Sequence, residues 1–248
     1  MKSEFVHLHN HSDYSLLDGA QKIDQLVNTI DDLNMDAVAL TEHGNMFSVL
    51  PYYKEAKKAG IKPIIGCEIY VAVGSRFEKK SRSDGGWGNN HLILLAQNFT
   101  GYKNLMKLVT AGYLEGFYYR PRIDMDLLRE YSDGLICMSA CLKGVVPEKM
   151  LKGDYEGAKK EALIFSEIFP DRYYLEIQNH GIAEEEANIK NMKKLSMDLN
   201  LPLVCTNDAH YAKKEHWEAH DIHICLGTGK ERSDPNRLRY ATPEFYFK

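Results

Sequence analysis

HLHNHSDYSLLDG, residues 7–19, sets three histidines on alternate positions with an aspartate shortly behind them, in a chain of ten histidines. Alternation is the rhythm of an extended strand, so His7, His9 and His11 are expected to point to one side. A buried row of imidazoles needs partners, because each unpaired polar group costs roughly 1–3 kcal/mol. A solvated strand face or a tag remnant would explain one H-x-H alone. Two imidazoles two apart on a strand can also converge on one metal ion.

Outward from this stretch, short apolar runs alternate with amphipathic ones. Strands are expected at FVHLH (5–9), DAVALT (36–41), KPIIGCEIYV (62–71), HLILLA (91–96), GLICMSA (134–140), YYLEIQ (173–178) and PLVCTN (202–207). Helical patterns lie between them: IDQLVNTIDDL, LPYYKEAKKAG, YKNLMKLVTAGYL, YEGAKKEALIFSEIF and EEEANIKNMKKLSMDLN. Such alternation predicts an α/β fold with parallel pairing through right-handed crossovers. Seven strands in 248 residues favour a closed, TIM-like (β/α) barrel over an open doubly wound sheet. GSRFEKKSRSDGGWGNN (74–90) breaks the rhythm and reads as a mobile loop beside the barrel mouth.

Composition narrows the function classes. The formal charge of -4 argues against a domain that holds nucleic acid by bulk electrostatics. Five cysteines without a C-x-x-C pair indicate a reducing compartment. No signal-peptide core or membrane-length apolar run is present, so a cytoplasmic protein with no membrane partner is expected. Residues 1–248 are read as a single domain.

Metal-ligand residue types recur where the apolar runs end: His9 and His11, His43 in TEHG, Glu68 in GCEIY, Cys141 in SACL, and Asp208 with His210 in TNDAH. Barrel chemistry collects at the C-terminal strand ends, where the loops converge. Asp18 joins from the first loop. His91 precedes its apolar run, so only a displaced or oppositely running strand brings it to the same mouth. One histidine at a strand end is ordinary; nine such residues together point to a metal site.

HLHNHSDYSLLDG, ALTEHGNMFSVLPYYKEAKKAGIKPIIGCEIYV, HLILLAQNFTGYKNL, YLEGFYYRPRID, SACLKG, EIQNHG and TNDAHY together resemble the PHP (polymerase and histidinol phosphatase) domain family, in the form attached to the bacterial DNA polymerase III alpha subunit. The resemblance implies a distorted seven-stranded barrel whose nine ligands, His9, His11, Asp18, His43, Glu68, His91, Cys141, Asp208 and His210, bind up to three divalent metals. Asp208, His210, His9 and Glu68 are expected to carry the catalysis. Glu42 stands where the family's T-D-H motif has aspartate and is expected to orient His43 from behind. His180 and His220 are expected in similar supporting places. His7 is assigned to core packing, and Cys67, Cys137, Cys205 and Cys225 to buried apolar positions.

Imidazoles, carboxylates and one thiol favour Zn²⁺, Mn²⁺ or Fe²⁺ over Mg²⁺. Metal-assisted phosphoester hydrolysis follows as the reaction class. For the polymerase-attached form the resemblance implies 3′→5′ exonuclease activity on DNA. The implied partners are DNA, the remainder of a polymerase chain and replisome subunits, the chain being an excised N-terminal domain. A small-molecule phosphatase of the histidinol-phosphate kind and a non-catalytic metal-bound scaffold are the alternatives. Arg76, Lys79, Lys80 and Arg82 are the local basic contacts expected for nucleic acid. The D-x-D in RIDMDLL is read as a helix cap at Asp124, and His216, His220 and His223 as one helix face.

Overall fold

The computed structural model describes residues 3–80 and 88–248. One mixed sheet forms its frame: β1 (Ala37–Leu40), β2 (Lys62–Ala72), β3 (Asn89–Ala96), β4 (Arg122–Ile123), β5 (Leu135–Met138), β6 (Tyr173–Ile177) and β7 (Leu203–Cys205). Its order is β1-β2-β3-β5-β6-β7, with β4 attached to β2. Six expected strands appear near their apolar runs. The two-residue β4 has no such run to announce it.

The first expected strand, residues 5–9, forms no regular ladder. Instead, residues 7–11 lie between the two edges of the sheet and join them. The His7 carbonyl accepts from Ala39 N in β1 (2.8 Å), and the His9 carbonyl accepts from Ala209 N beyond β7 (3.3 Å). Asn10 Nδ2 adds bonds to the carbonyls of His7 and Ala39. The sheet thereby curls into a distorted barrel closed by an irregular segment, and strict side-chain alternation is lost there.

Parallel pairing fails at one strand. β3 runs antiparallel to both β2 and β5, while β1–β2, β5–β6 and β6–β7 are parallel. The N-terminal end of β3 therefore lies at the mouth where the other strands finish. This is how His91 reaches the mouth.

The helices are α1 (Ile23–Asp32), α2 (Val49–Lys58), α3 (Phe99–Leu114), α4 (Met125–Glu130), α5 (Val145–Leu151), α6 (Tyr155–Ile168), α7 (Ala183–Leu199) and α8 (Trp217–Thr228). Local chemistry sets several boundaries. Asn98, Asp124 and Asp154 accept from backbone N–H groups at the starts of α3, α4 and α6, satisfying donors a helix leaves orphaned. Asn200 ends α7 in the left-handed conformation.

Period-two alternation splits the strands between two faces. Leu92 and Leu94 of β3 pack with Leu105 and Leu108 of α3 in the large outer core. Ile93 and Leu95 join Ala39, Met138 and Ala140 in a cluster on the concave side. A third cluster fixes α1 and α2 on β1 through Leu26, Ile30, Val38, Tyr52 and Ala56. Glu68 and His91 share the parity of the concave side, so the apolar plug supports the polar mouth from below. Among the described residues no helix is long and apolar enough to cross a membrane.

Candidate metal centre

All nine expected ligand residues converge at this mouth. Among the described residues, three groups have potential donor atoms within 4.8 Å of one another: His9, His11 and Asp208; His11, His43 and His210; and Glu68, His91 and Cys141. Asp18 Oδ1 stands 3.1 Å from His43 Nε2 and completes the set. Glu68 is the hub. Its Oε1 is 2.7 Å from Nδ1 of both His43 and His91, and its Oε2 is 2.9 Å from His9 Nε2.

Several buried atoms lack a hydrogen-bond partner: His11 Nε2, His43 Nε2, Asp18 Oδ1 and Asp208 Oδ1. Leaving such atoms unsatisfied is costly unless a further group binds them. Aspartate Oδ1 and imidazole Nε2 suit a divalent ion, and here they face one another at 3.1–3.2 Å without hydrogen-bond geometry. The donor set fits the implied metals.

The electrostatics agree with that fit. Burial pushes the Asp208 carboxyl up, but His9, His210 and His11 outweigh it and hold the group well below the usual range. Glu68 is likewise buried yet held low by His91 and His43. Burial lowers His9, but Asp208 and Glu176 raise it well above its ordinary value. His43 is raised by Asp18 and Glu68 against its burial. Burial lowers His11 and His210 instead, so the buried carboxylates call for positive charge beside them, which divalent ions can supply. Burial, with Glu68 and Asp208, pushes the Cys141 thiol up, so a cation is needed to make it a thiolate.

The backbone around the ligands is specialised. Asp208 holds φ 44°, a left-handed conformation uncommon outside glycine but accessible to Asp and Asn. Gly19 follows Asp18 where a Cβ would lie 1.7 Å from the Ser12 carbonyl oxygen, so only glycine lets this loop close.

Supporting residues fix the ring orientations. Glu176 accepts from His9 Nδ1 (2.7 Å) and is held by Gln178 Nε2 (3.0 Å) and by Thr206 (2.5 Å). That directs His9 Nε2 into the site. His210 Nδ1 donates to the Asp208 carbonyl at 2.8 Å, which turns its Nε2 inward. The single proton of the Tyr240 hydroxyl goes to that Nε2 at 2.7 Å, with Asp18 Oδ2 standing 3.3 Å from the same oxygen. His220 Nε2 donates to the Asp18 carbonyl (2.7 Å). His180 sits between Glu185 Oε1 (2.6 Å) and the Asn207 carbonyl (2.8 Å), immediately behind Asp208.

Glu42 differs from its expected role. It bonds both Ser12 and Ser15, and no bond joins it to the His43 ring. Ser15 Oγ donates to Glu42 at 2.5 Å and accepts from His11 Nδ1 (3.2 Å) and His43 N (3.0 Å). Glu42 therefore steers the His11 ring through Ser15. Ser15→Ala is expected to weaken Mn²⁺ or Zn²⁺ binding by about 10–100-fold, measured by calorimetric titration. An unchanged affinity would remove this relay from the account.

His7 does not share the direction of His9. Its ring lies between Phe5 and Phe247, with Nε2 3.1 Å from the Lys248 carbonyl, and burial lowers it to about 4. Core packing holds for His7, and Leu8 takes the concave side instead. Cys205 is exposed, against the expectation of burial; Cys67, Cys137 and Cys225 are buried. Arg76 is committed to Glu115 (2.6 Å) and Asp124 (3.0 Å), so its guanidinium is not a free basic contact. Lys79 and Lys80 are exposed, and Arg82 lies outside the described residues.

Glu176 and Tyr240 have no place in the sequence expectations. A lone carboxylate within the apolar run YYLEIQ was a usable signal for Glu176. Tyr240 sits in a segment without regular structure, and nothing local marks it.

A family model described as PHP domain matches residues 7–180, a span that stops short of Asp208 and His210. DNA polymerase III subunit alpha of Borreliella burgdorferi is 53% identical over 247 residues, covering 100% of this chain and 21% of that protein. The same-named protein of Treponema pallidum is 48% identical over 248 residues, covering 100% and 21%. The chain thus spans about a fifth of the length of these relatives. Among solved structures, a Bifidobacterium adolescentis protein assigned to the metal-dependent phosphoesterases has a TM-score of 0.50 at 11% identity, covering 85% of this chain and 89% of that one. An amidohydrolase from Chromobacterium violaceum also has a TM-score of 0.50, at 12% identity, with 88% and 96% covered. These two likenesses are of fold.

Proposed function

The chain belongs to the PHP domain family, and from that premise we propose that it is a metal-dependent phosphoesterase acting as a 3′→5′ exonuclease within a longer replicative DNA polymerase subunit. One observation carries the reading: nine ligand-type side chains meet in one cleft, with four of their buried atoms lacking partners. Divalent ions bound there would supply Lewis acidity that acidifies water and offsets charge on a phosphoester. His9, His11 and Asp208 would hold one ion; His43 and His210 with Asp18 a second; Glu68, His91 and Cys141 a third. Zn²⁺, Mn²⁺ and Fe²⁺ suit this mixture better than Mg²⁺.

The protein's own contribution is orientation. Glu176, Ser15 and the Asp208 carbonyl keep protons on the outer nitrogens of His9, His11 and His210, leaving the inner nitrogens to coordinate. The Tyr240 hydroxyl is a proton donor at the rim of this set.

The DNA part of the proposal rests on the relatives' names and length. A net charge of -4 means that the remainder of such a subunit, with other replisome proteins, would deliver the strand. A cytoplasmic location follows from that role. Incubation with Mn²⁺ or Zn²⁺ on 3′-recessed DNA is expected to shorten the recessed strand from its 3′ end. Phosphate release from histidinol phosphate instead would identify a small-molecule phosphatase. Metal binding without either hydrolysis would identify a scaffold.

A further inference from the structure

The cleft that holds the metal-type cluster extends well beyond it. It encloses about 910 Å³, and its lining includes Phe47, Tyr113, Phe117 and Tyr119 together with Arg120 and Lys143. These four aromatic side chains are 61%, 38%, 47% and 60% exposed. Single exposed apolar side chains are ordinary, but a contiguous row of them rimmed by polar residues marks a binding surface.

Their arrangement is ordered. Phe47 and Tyr113 have ring centroids 6.1 Å apart, and Tyr113 and Phe117 lie 6.2 Å apart at 26° between planes. Tyr113 is in the last turn of α3, and Phe117 follows one helical turn later. Phe47 comes from the loop after His43. Three rings from two distant segments form one row along the mouth.

Resting on the phosphoesterase reading above, we propose that this row is a stacking shelf for the bases of a single-stranded nucleic acid end whose terminal phosphodiester reaches the metal-type cluster. Every base has a π-face, so an aromatic row binds strands with little regard to sequence. Arg120 and Lys143 add positive charge on the same cleft for the backbone. A compact phosphate ester would leave most of the open shelf unused. A protein segment lying on the shelf would cover the route to the cluster.

The test compares affinities for two fluorescent single strands of equal length, one with bases and one abasic, by anisotropy with Mn²⁺ present and a hydrolysis-resistant 3′ linkage. The chain is expected to prefer the base-bearing strand by about tenfold or more. Combining Tyr113→Ala with Phe117→Ala is expected to erase that preference, whereas Phe117→Trp keeps it. Because both truncated rings are partly exposed, folding is verified from the Tm of each variant. Equal affinity for the two strands in the unaltered chain overturns the proposal. A preference that survives the double substitution overturns it as well. Hydrolysis is scored separately on cleavable strands: base preference without cleavage supports the shelf and defeats the enzymatic reading, and cleavage without base preference does the reverse.

Discussion

Asp208→Asn is expected to lower phosphoester hydrolysis by more than about a hundredfold, exceeding the loss typical when only a residue supporting a metal ligand is changed. Asp208 Oδ1 lies 3.2 Å from both His9 Nε2 and His11 Nε2, so one carboxylate oxygen serves the most buried part of the cluster. The amide keeps the side-chain shape but removes the negative charge and weakens an oxygen donor. Asparagine also tolerates the left-handed backbone that Asp208 adopts, so the loop should keep its course where alanine would strain it. Circular dichroism should accordingly match the unaltered chain. His7→Gln is the companion measurement. His7 packs against Phe5 and Phe247 and contacts none of the cluster, so activity should survive. Equal losses from both substitutions would sink the ligand assignment itself.

Metal removal should have the second large effect. Exhaustive chelation is expected to bring hydrolysis to background and to lower the Tm, because the converging carboxylates and imidazoles lose the cations that tie them together. Each ion supplied at about a hundredfold excess over its Kd stabilises the native state by about 2.7 kcal/mol, which for a domain of this size is roughly 5–10 °C. A Tm indifferent to Mn²⁺, Zn²⁺ and Fe²⁺ would refute the metal reading. A shift in Tm without hydrolysis of any phosphoester would leave the scaffold.

The sequence carried much of this site because its ligand residues end strands. Apolar runs locate β1, β5 and β7, with His43, Cys141 and the Asp208–His210 pair following them at the mouth, whereas Glu68 lies within β2 and reaches the mouth because that strand runs on past it. His91 was harder to place, since periodicity says nothing about strand direction; only the pairing of β3 with β2 and β5 shows that it runs backwards. His7 followed the alternation of His9 and His11 in sequence but not in space, because residues 7–11 bridge two edges without becoming a strand. Glu42 was assigned to the neighbouring His43, whereas the hydrogen bonds route it through Ser15 to His11. Tyr240 was illegible: its contact with Asp18 spans 222 residues, and no local pattern encodes such a meeting.

The segment that joins the sheet edges also dictates an order of assembly. Gln21 bonds the Ala209 carbonyl across 188 residues, and His7 meets Lys248 across 241. Closing so long a loop costs conformational entropy before any contact rewards it, so such closures come late in folding. While the chain is being synthesised, His9, His11, Asp18 and His43 emerge long before Asp208 and His210. Seven of the nine ligand-type residues therefore precede β7 in the chain, and only Asp208 and His210 arrive with it. Barrel closure and completion of the metal centre are one event, so a nascent chain gains its full coordination set only when its final strand docks.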